Sequence, residues 1–138
     1  MDWITNKIAI GNYLDAKDAE LLKREGVLSI LSLDGTPAGI EPKELGVRKI
    51  VIRKLQDGAE TPRAEFLETV NQLRGLVAEN GPVLVQCRAG RSRSVVLVAA
   101  YFMTSLGVSA KEAIARVAAK RKIGITPGTE KLLDHVAY

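Results

Sequence analysis

Cys87 is the chain's only cysteine, and its neighbours decide how it is read. It stands in Gln86-Cys87-Arg88-Ala89-Gly90-Arg91-Ser92-Arg93-Ser94, between the apolar run Val83-Leu84-Val85 and a long apolar segment from Val95 to Met103. A loop between a buried strand and a buried helix can curl its backbone N–H groups around an anion. The positive end of the following helix dipole then points into the same space. Gly90 permits the tight turn, and Arg93 brings a planar, two-pronged donor that fits phosphate oxygens. A thiol in such a field ionises more readily than a free one, because helix N-termini and cations stabilise the thiolate. The chemistry on offer is a nucleophilic thiolate facing a bound oxyanion. The alternative is an inert buried cysteine at a strand end, which the Gly at +3, Arg at +6 and Ser at +7 argue against. The only histidine, His135, lies 48 positions downstream, so a Cys–His nucleophile pair is the weaker account.

The surrounding elements have to hold that loop. Trp3–Ile10 alternates loosely and reads as a short strand pair turning at Asn6-Lys7. Asp15 is expected to cap a helix running to Glu25, with Gly26 as its stop. Val27–Leu33 and Val47–Ile52 read as buried strands. Thr61-Pro62 is expected to open a helix whose Phe66, Val70, Leu73 and Val77 share one face, ending at Asn80-Gly81-Pro82. Ser94–Leu106 reads as a wholly buried helix, and Ser109 with Glu112 as a capping box for a helix over Ala110–Lys120. Thr126-Pro127 is expected to open a last helix to the C-terminus. This alternation predicts a single α/β domain over residues 1–138, with a mostly parallel central sheet flanked by helices and the site beyond the strands' carboxyl ends.

Composition narrows the function. The 138 residues are 46% hydrophobic and 26% charged, ordinary for a globular domain. One Cys and one His exclude a disulfide framework and a Cys/His metal cage, so no metal and no cofactor is expected. The six aromatic residues make no stacking platform, and the net charge of +4 is modest, so nucleic acid is not an expected partner. No signal peptide is legible, and the longest apolar run is nine residues where a span needs about 20. A cytoplasmic monomer with a reduced thiol is expected. The basic residues Arg48, Lys49, Arg53 and Lys54 either are solvated or face an anionic lipid surface peripherally.

The loop resembles the Cys-x5-Arg-Ser/Thr signature of the cysteine-based protein tyrosine phosphatase superfamily. Trp3-Ile4, Ile8–Gly11 and Ala16–Leu22 resemble the opening of its dual-specificity phosphatase type. Ala100–Met103, Ser109, Glu112-Ala113 and Lys120-Arg121-Lys122 before Thr126-Pro127 resemble the C-terminal half. The resemblance implies a dual-specificity-phosphatase-like domain that hydrolyses phosphomonoesters, with phosphoproteins as the leading substrates. It assigns Cys87 as nucleophile, Arg93 and the amides of Arg88, Ala89, Gly90, Arg91 and Ser92 as the phosphate-binding groups, and Ser94 as the hydroxyl that eases thiolate departure. It also implies a general acid on a loop about 30 residues before the cysteine. Asp57, in Gln56-Asp57-Gly58, stands 30 positions before Cys87; otherwise it would read as a surface turn.

Gln86 departs from the family pattern, which has His before the nucleophile; glutamine donates hydrogen bonds but carries no charge. Arg88 and Arg91 resemble the extra basic residues in loops of phosphoinositide phosphatases and of the phosphatidylglycerophosphate phosphatase branch, which keeps a lipid head group or inositol phosphate open as substrate. A rhodanese-type sulfurtransferase would carry its Arg at +5 rather than +6. A non-catalytic phosphate-binding module is the remaining alternative, with Gln86 its one supporting feature.

Overall fold

The computed structural model describes residues 1–136. Five strands form one sheet in the order β1 (Asp2–Trp3), β2 (Ile8–Gly11), β5 (Val83–Gln86), β3 (Ser29–Ser32), β4 (Lys49–Ile52). β1 runs antiparallel to β2, and the other three pairings are parallel. The expected mostly parallel sheet is therefore present, with one antiparallel edge.

Both faces are covered, which is why every residue of the inner strands β2, β5 and β3 is buried, with an apolar middle and buried polar Ser29, Ser32 and Gln86 at strand ends. Alternate residues go to opposite sides. Ile8, Ile10, Leu31, Val83 and Val85 join the larger core beneath α2 (Arg63–Asn80), α3 (Arg93–Leu106) and α4 (Ala110–Ala118). Ala9, Ile30 and Leu84 face the smaller core under α1 (Ala19–Glu25), with Leu22, Leu45 and Val47. Nine residues of α3 are buried, which fixes the helix whose first turn borders Cys87.

β4, expected as a buried strand, is an edge strand with Lys49 and Ile52 exposed, and α3, expected to be wholly buried, exposes Thr104 to Leu106 in its last turn, where no described element covers it. The other differences from the sequence reading lie at helix ends. Asp18, not Asp15, caps α1, accepting from the Leu21 N–H at 3.1 Å. Asp15 heads a 3₁₀ turn, and its carboxylate accepts from the Asn12 N–H instead. Gly26 ends α1 at φ +75°, as expected. Thr61 does not cap α2, because its hydroxyl accepts from the Gln56 N–H and ties the preceding loop together. The capping box of α4 is half formed: the Ser109 hydroxyl accepts from the Glu112 N–H, while the Glu112 carboxylate turns to Arg116 one turn on. The segment after α4 forms a 3₁₀ helix, Thr129–His135, rather than an α-helix opening at Thr126. The last two residues of that expected helix lie outside the described residues. The Thr126 hydroxyl is engaged elsewhere.

No helix among the described residues is long and apolar enough to cross a membrane. No group of three or more His, Cys, Asp and Glu side chains among them could hold a metal ion.

Candidate active site

The parallel strands end together at one edge of the sheet, and the segments leaving them build the site. Cys87 follows β5 and is 2% exposed. A cavity of about 310 Å³ opens above it, walled by Arg88, Ala89 and Arg91 to Arg93 of the same loop. Asp57 from the loop after β4 and Gly124 and Thr126 from the segment after α4 complete it.

The loop's backbone accounting defines what this cavity can hold. Each carbonyl from Cys87 to Ser92 has a donor outside the loop. The Gln86 side-chain amide meets Cys87 O at 2.9 Å, and the Tyr13 N–H meets Arg88 O at 3.1 Å. Arg121 meets Gly90 O at 2.7 Å and Ala89 O at 3.4 Å. The Gly124 N–H meets Arg91 O at 3.0 Å, and the Val96 N–H meets Ser92 O at 2.9 Å. These peptides are trans, since the two cis bonds are Thr36-Pro37 and Gly81-Pro82. In a trans peptide the N–H points opposite to the C=O. Carbonyls tied outward therefore turn the N–H groups of Arg88 through Arg93 to the inside. Among the described residues, none of these six donates to a protein acceptor. Gly90, at φ +68°, makes the turn that a side chain would oppose. The result is a ring of unpaired donors at the N-terminus of α3, which is an anion cradle.

Arg93 leaves this loop and reaches across the strand ends. Its Nη1 donates to the carbonyls of Leu33 and Leu55, at 3.3 and 3.2 Å. With that nitrogen anchored, the remaining N–H groups of the guanidinium are left for a ligand.

Asp57 is exposed, yet its carboxylate accepts three hydroxyls: Ser92 at 2.6 Å, Thr126 at 2.6 Å and Thr129 at 3.0 Å. Ser92 in turn accepts from the Thr126 N–H at 2.9 Å. Partial loss of water pushes the carboxyl up. The hydroxyls of Ser92, Thr126 and Thr129 and the charge of Arg93 outweigh this and hold it below the ordinary aspartate value.

Gln86 is fully buried, and its amide nitrogen donates to Asp34 Oδ1 at 2.7 Å as well as to Cys87 O. Burial pushes the Asp34 carboxyl up, but donation from the Thr36 N–H, Gln86 and Ser32 holds it below its usual range. The pair ties the end of β3 to the Cys87 peptide. Ser94 is buried at the start of α3, and its hydroxyl has no hydrogen-bond partner among the described residues. Arg88 lies over the Tyr13 ring at 4.9 Å, and Arg91 is exposed on the cavity wall.

Cys87, Arg93, Asp57, Arg88, Ala89, Arg91 and Ser92 thus meet at one cavity. Gly90 shapes the loop, and Ser94 sits beneath it. Sequence reasoning missed Asp34, Tyr13, Arg121, Thr126 and Thr129. Of these, Arg121 and Thr126 lie in the Lys120-Arg121-Lys122 and Thr126-Pro127 stretches that carry part of the resemblance above.

The chain matches the family model described as dual specificity phosphatase, catalytic domain, over residues 9–134. It is 35% identical over 121 residues to dual specificity protein phosphatase 22 of Mus musculus, covering 88% of this chain and 64% of that one. It is 31% identical over 131 residues to dual specificity protein phosphatase 15 of Mus musculus, covering 94% of this chain and 54% of that one. The crystal structure of DUSP15 superposes with a TM-score of 0.81 at 27% identity, covering 96% of this chain and 83% of that one. The chain therefore spans between about half and two thirds of the length of these two curated relatives.

Proposed function

The chain belongs to the dual specificity phosphatase family, and from that membership we propose that it hydrolyses phosphomonoesters through a phosphocysteine formed on Cys87. The observation that carries this reading is the set of six inward N–H groups directly after a buried cysteine. Such donors match the three equatorial oxygens of a phosphoryl group in transfer. Being fixed in advance, they need no reorganisation when charge develops there.

In the first step the Cys87 thiolate attacks phosphorus in line, the S–P bond forms and the ester P–O bond breaks. The free guanidinium N–H groups of Arg93 and the loop amides hold the equatorial oxygens. Asp57, across the cavity, gives the leaving oxygen its proton. In the second step water attacks phosphorus and passes a proton to the Asp57 carboxylate, and the S–P bond breaks. The unpartnered Ser94 hydroxyl is the donor that steadies the departing thiolate. No step requires a metal, because positive charge comes from Arg93 and the amides.

Phosphotyrosine, with phosphoserine and phosphothreonine, in proteins is the substrate class proposed. Arg88 and Arg91 favour a second reading, a phosphorylated lipid head group or inositol phosphate, because both border the cavity and are additional to the phosphate-binding Arg93. Cys87→Ser is expected to abolish turnover of an aryl phosphate while leaving the fold intact, since a hydroxyl is a far weaker nucleophile at neutral pH. Activity within tenfold of the wild type would remove the phosphocysteine mechanism. A wild type without turnover would leave a phosphate-binding module.

A further inference from the structure

At the turn of the cradle two successive carbonyls, of Ala89 and Gly90, meet no backbone donor among the described residues. One side chain meets both. Arg121, just beyond α4, places Nε 2.7 Å from Gly90 O and Nη2 3.4 Å from Ala89 O. Its Nη1 lies 2.8 Å from Asp2 Oδ2 on β1, and the arginine side chain is only 11% exposed. The fit is close. A Cβ on Gly90 would lie 2.5 Å from the Gly11 carbonyl oxygen and 2.6 Å from Arg121 Nη2, so the guanidinium packs directly against the bare glycine. Arg121 is absent from the cavity wall and touches the loop from behind.

We propose that Arg121 is a positioning residue for the anion cradle, holding the Ala89 and Gly90 carbonyls outward, and so the Gly90 and Arg91 N–H groups inward, before substrate arrives. Asp2 keeps the guanidinium in that orientation. The inference rests on the phosphatase reading above. Without the brace, either peptide unit is free to rotate and present its carbonyl oxygen to the phosphate, replacing a donor with a repelling acceptor. A lysine retains the charge but lacks the planar fork that spans two carbonyls and a carboxylate together.

Tungstate affinity by titration calorimetry, kcat and KM on an aryl phosphate, and Tm would be measured for wild type, Arg121→Lys, Arg121→Met and Asp2→Asn. Arg121→Met should weaken tungstate binding by about tenfold or more, the factor carried by one lost charge-assisted contact, with kcat/KM falling alongside. Arg121→Lys should fall between it and the wild type at nearly unchanged Tm, and Asp2→Asn should shift both quantities a few-fold in the same direction. If Arg121→Met does not fold, the lysine variant carries the test. Tungstate affinity and kcat/KM equal to wild type in Arg121→Lys would mean that charge alone suffices, and the positioning role would fall. A wild type that binds no tungstate would remove the phosphatase reading itself, whereas wild type and lysine variant binding equally well would remove only this inference.

Discussion

Asp57 places two demands on one carboxyl. As the proposed acid of the first step it would have to hold a proton. Yet three hydroxyls and Arg93 favour its ionised form and keep it below the usual aspartate value. In the proposed mechanism a phosphate brought into the cavity would reconcile the two, because its charge disfavours a neighbouring carboxylate and raises that group's proton affinity. The dependence on this proton should follow the leaving group. Asp57→Asn is expected to slow hydrolysis of alkyl phosphates by about 10²–10⁴-fold, while esters of acidic phenols lose far less, because a stable phenolate departs unprotonated. The basic limb of the alkyl-ester pH profile should flatten in the variant. Equal losses on both ester types in steady-state kinetics would assign Asp57 a structural role.

Between elements, the same carboxylate is a fastener. Through Ser92, Thr126 and Thr129 it joins the loop after β4 to the Cys87 loop and to the segment after α4. The folded-state carboxyl is depressed, so its contribution to stability is present above the unfolded aspartate value of about 3.9 and is lost as pH falls through the lower folded value. Thr126→Val with Thr129→Val should therefore destabilise the protein at neutral pH. The expected loss is at most about 1 kcal/mol per hydroxyl, discounted for the exposure of Asp57 to water. Urea unfolding across pH would show the difference between variant and wild type narrowing below about pH 4. A difference independent of pH would place the loss in packing rather than in the carboxylate. Gln86 is the fastener on the other side, where it links β3 to β5 through Asp34. Its amide delivers two hydrogen bonds without charge.

Over the whole molecule, what was legible in the sequence was what lies close along the chain. Cys87, Gly90, Arg93 and Ser94 fall within one loop, and the alternation of strands and helices stated the layering because each face must be buried. Asp57 was found by its distance from Cys87 under the family resemblance. Arg121 meets the loop across 31 positions, Gln86 meets Asp34 across 52, and Thr126 meets Asp57 across 69. A hydroxyl before a proline carries the local signature of a helix cap, and no local property distinguishes it from one that crosses the fold to a carboxylate. Charge acts at this scale too, since the chain carries +4. If Arg88 and Arg91 read a second negative group, replacing both with alanine should cost little on a small aryl phosphate and roughly tenfold or more per lost contact in kcat/KM on a phosphorylated inositol or glycerophosphate head group. Any wild-type preference for the polyanion should then weaken with added salt. The same loss on both substrates would reduce the two arginines to loop support and favour phosphoprotein substrates.

The solitary thiol has a consequence under oxidative conditions. Should Cys87 be oxidised to the sulfenic acid, no second cysteine in these 138 residues can condense with it. The oxidised sulfur then has two reversible outlets, a backbone nitrogen of its own loop or a thiol brought from outside, and otherwise proceeds to the irreversible sulfinic acid. Return of either adduct to the free thiol would accordingly depend on a thiol from outside these 138 residues.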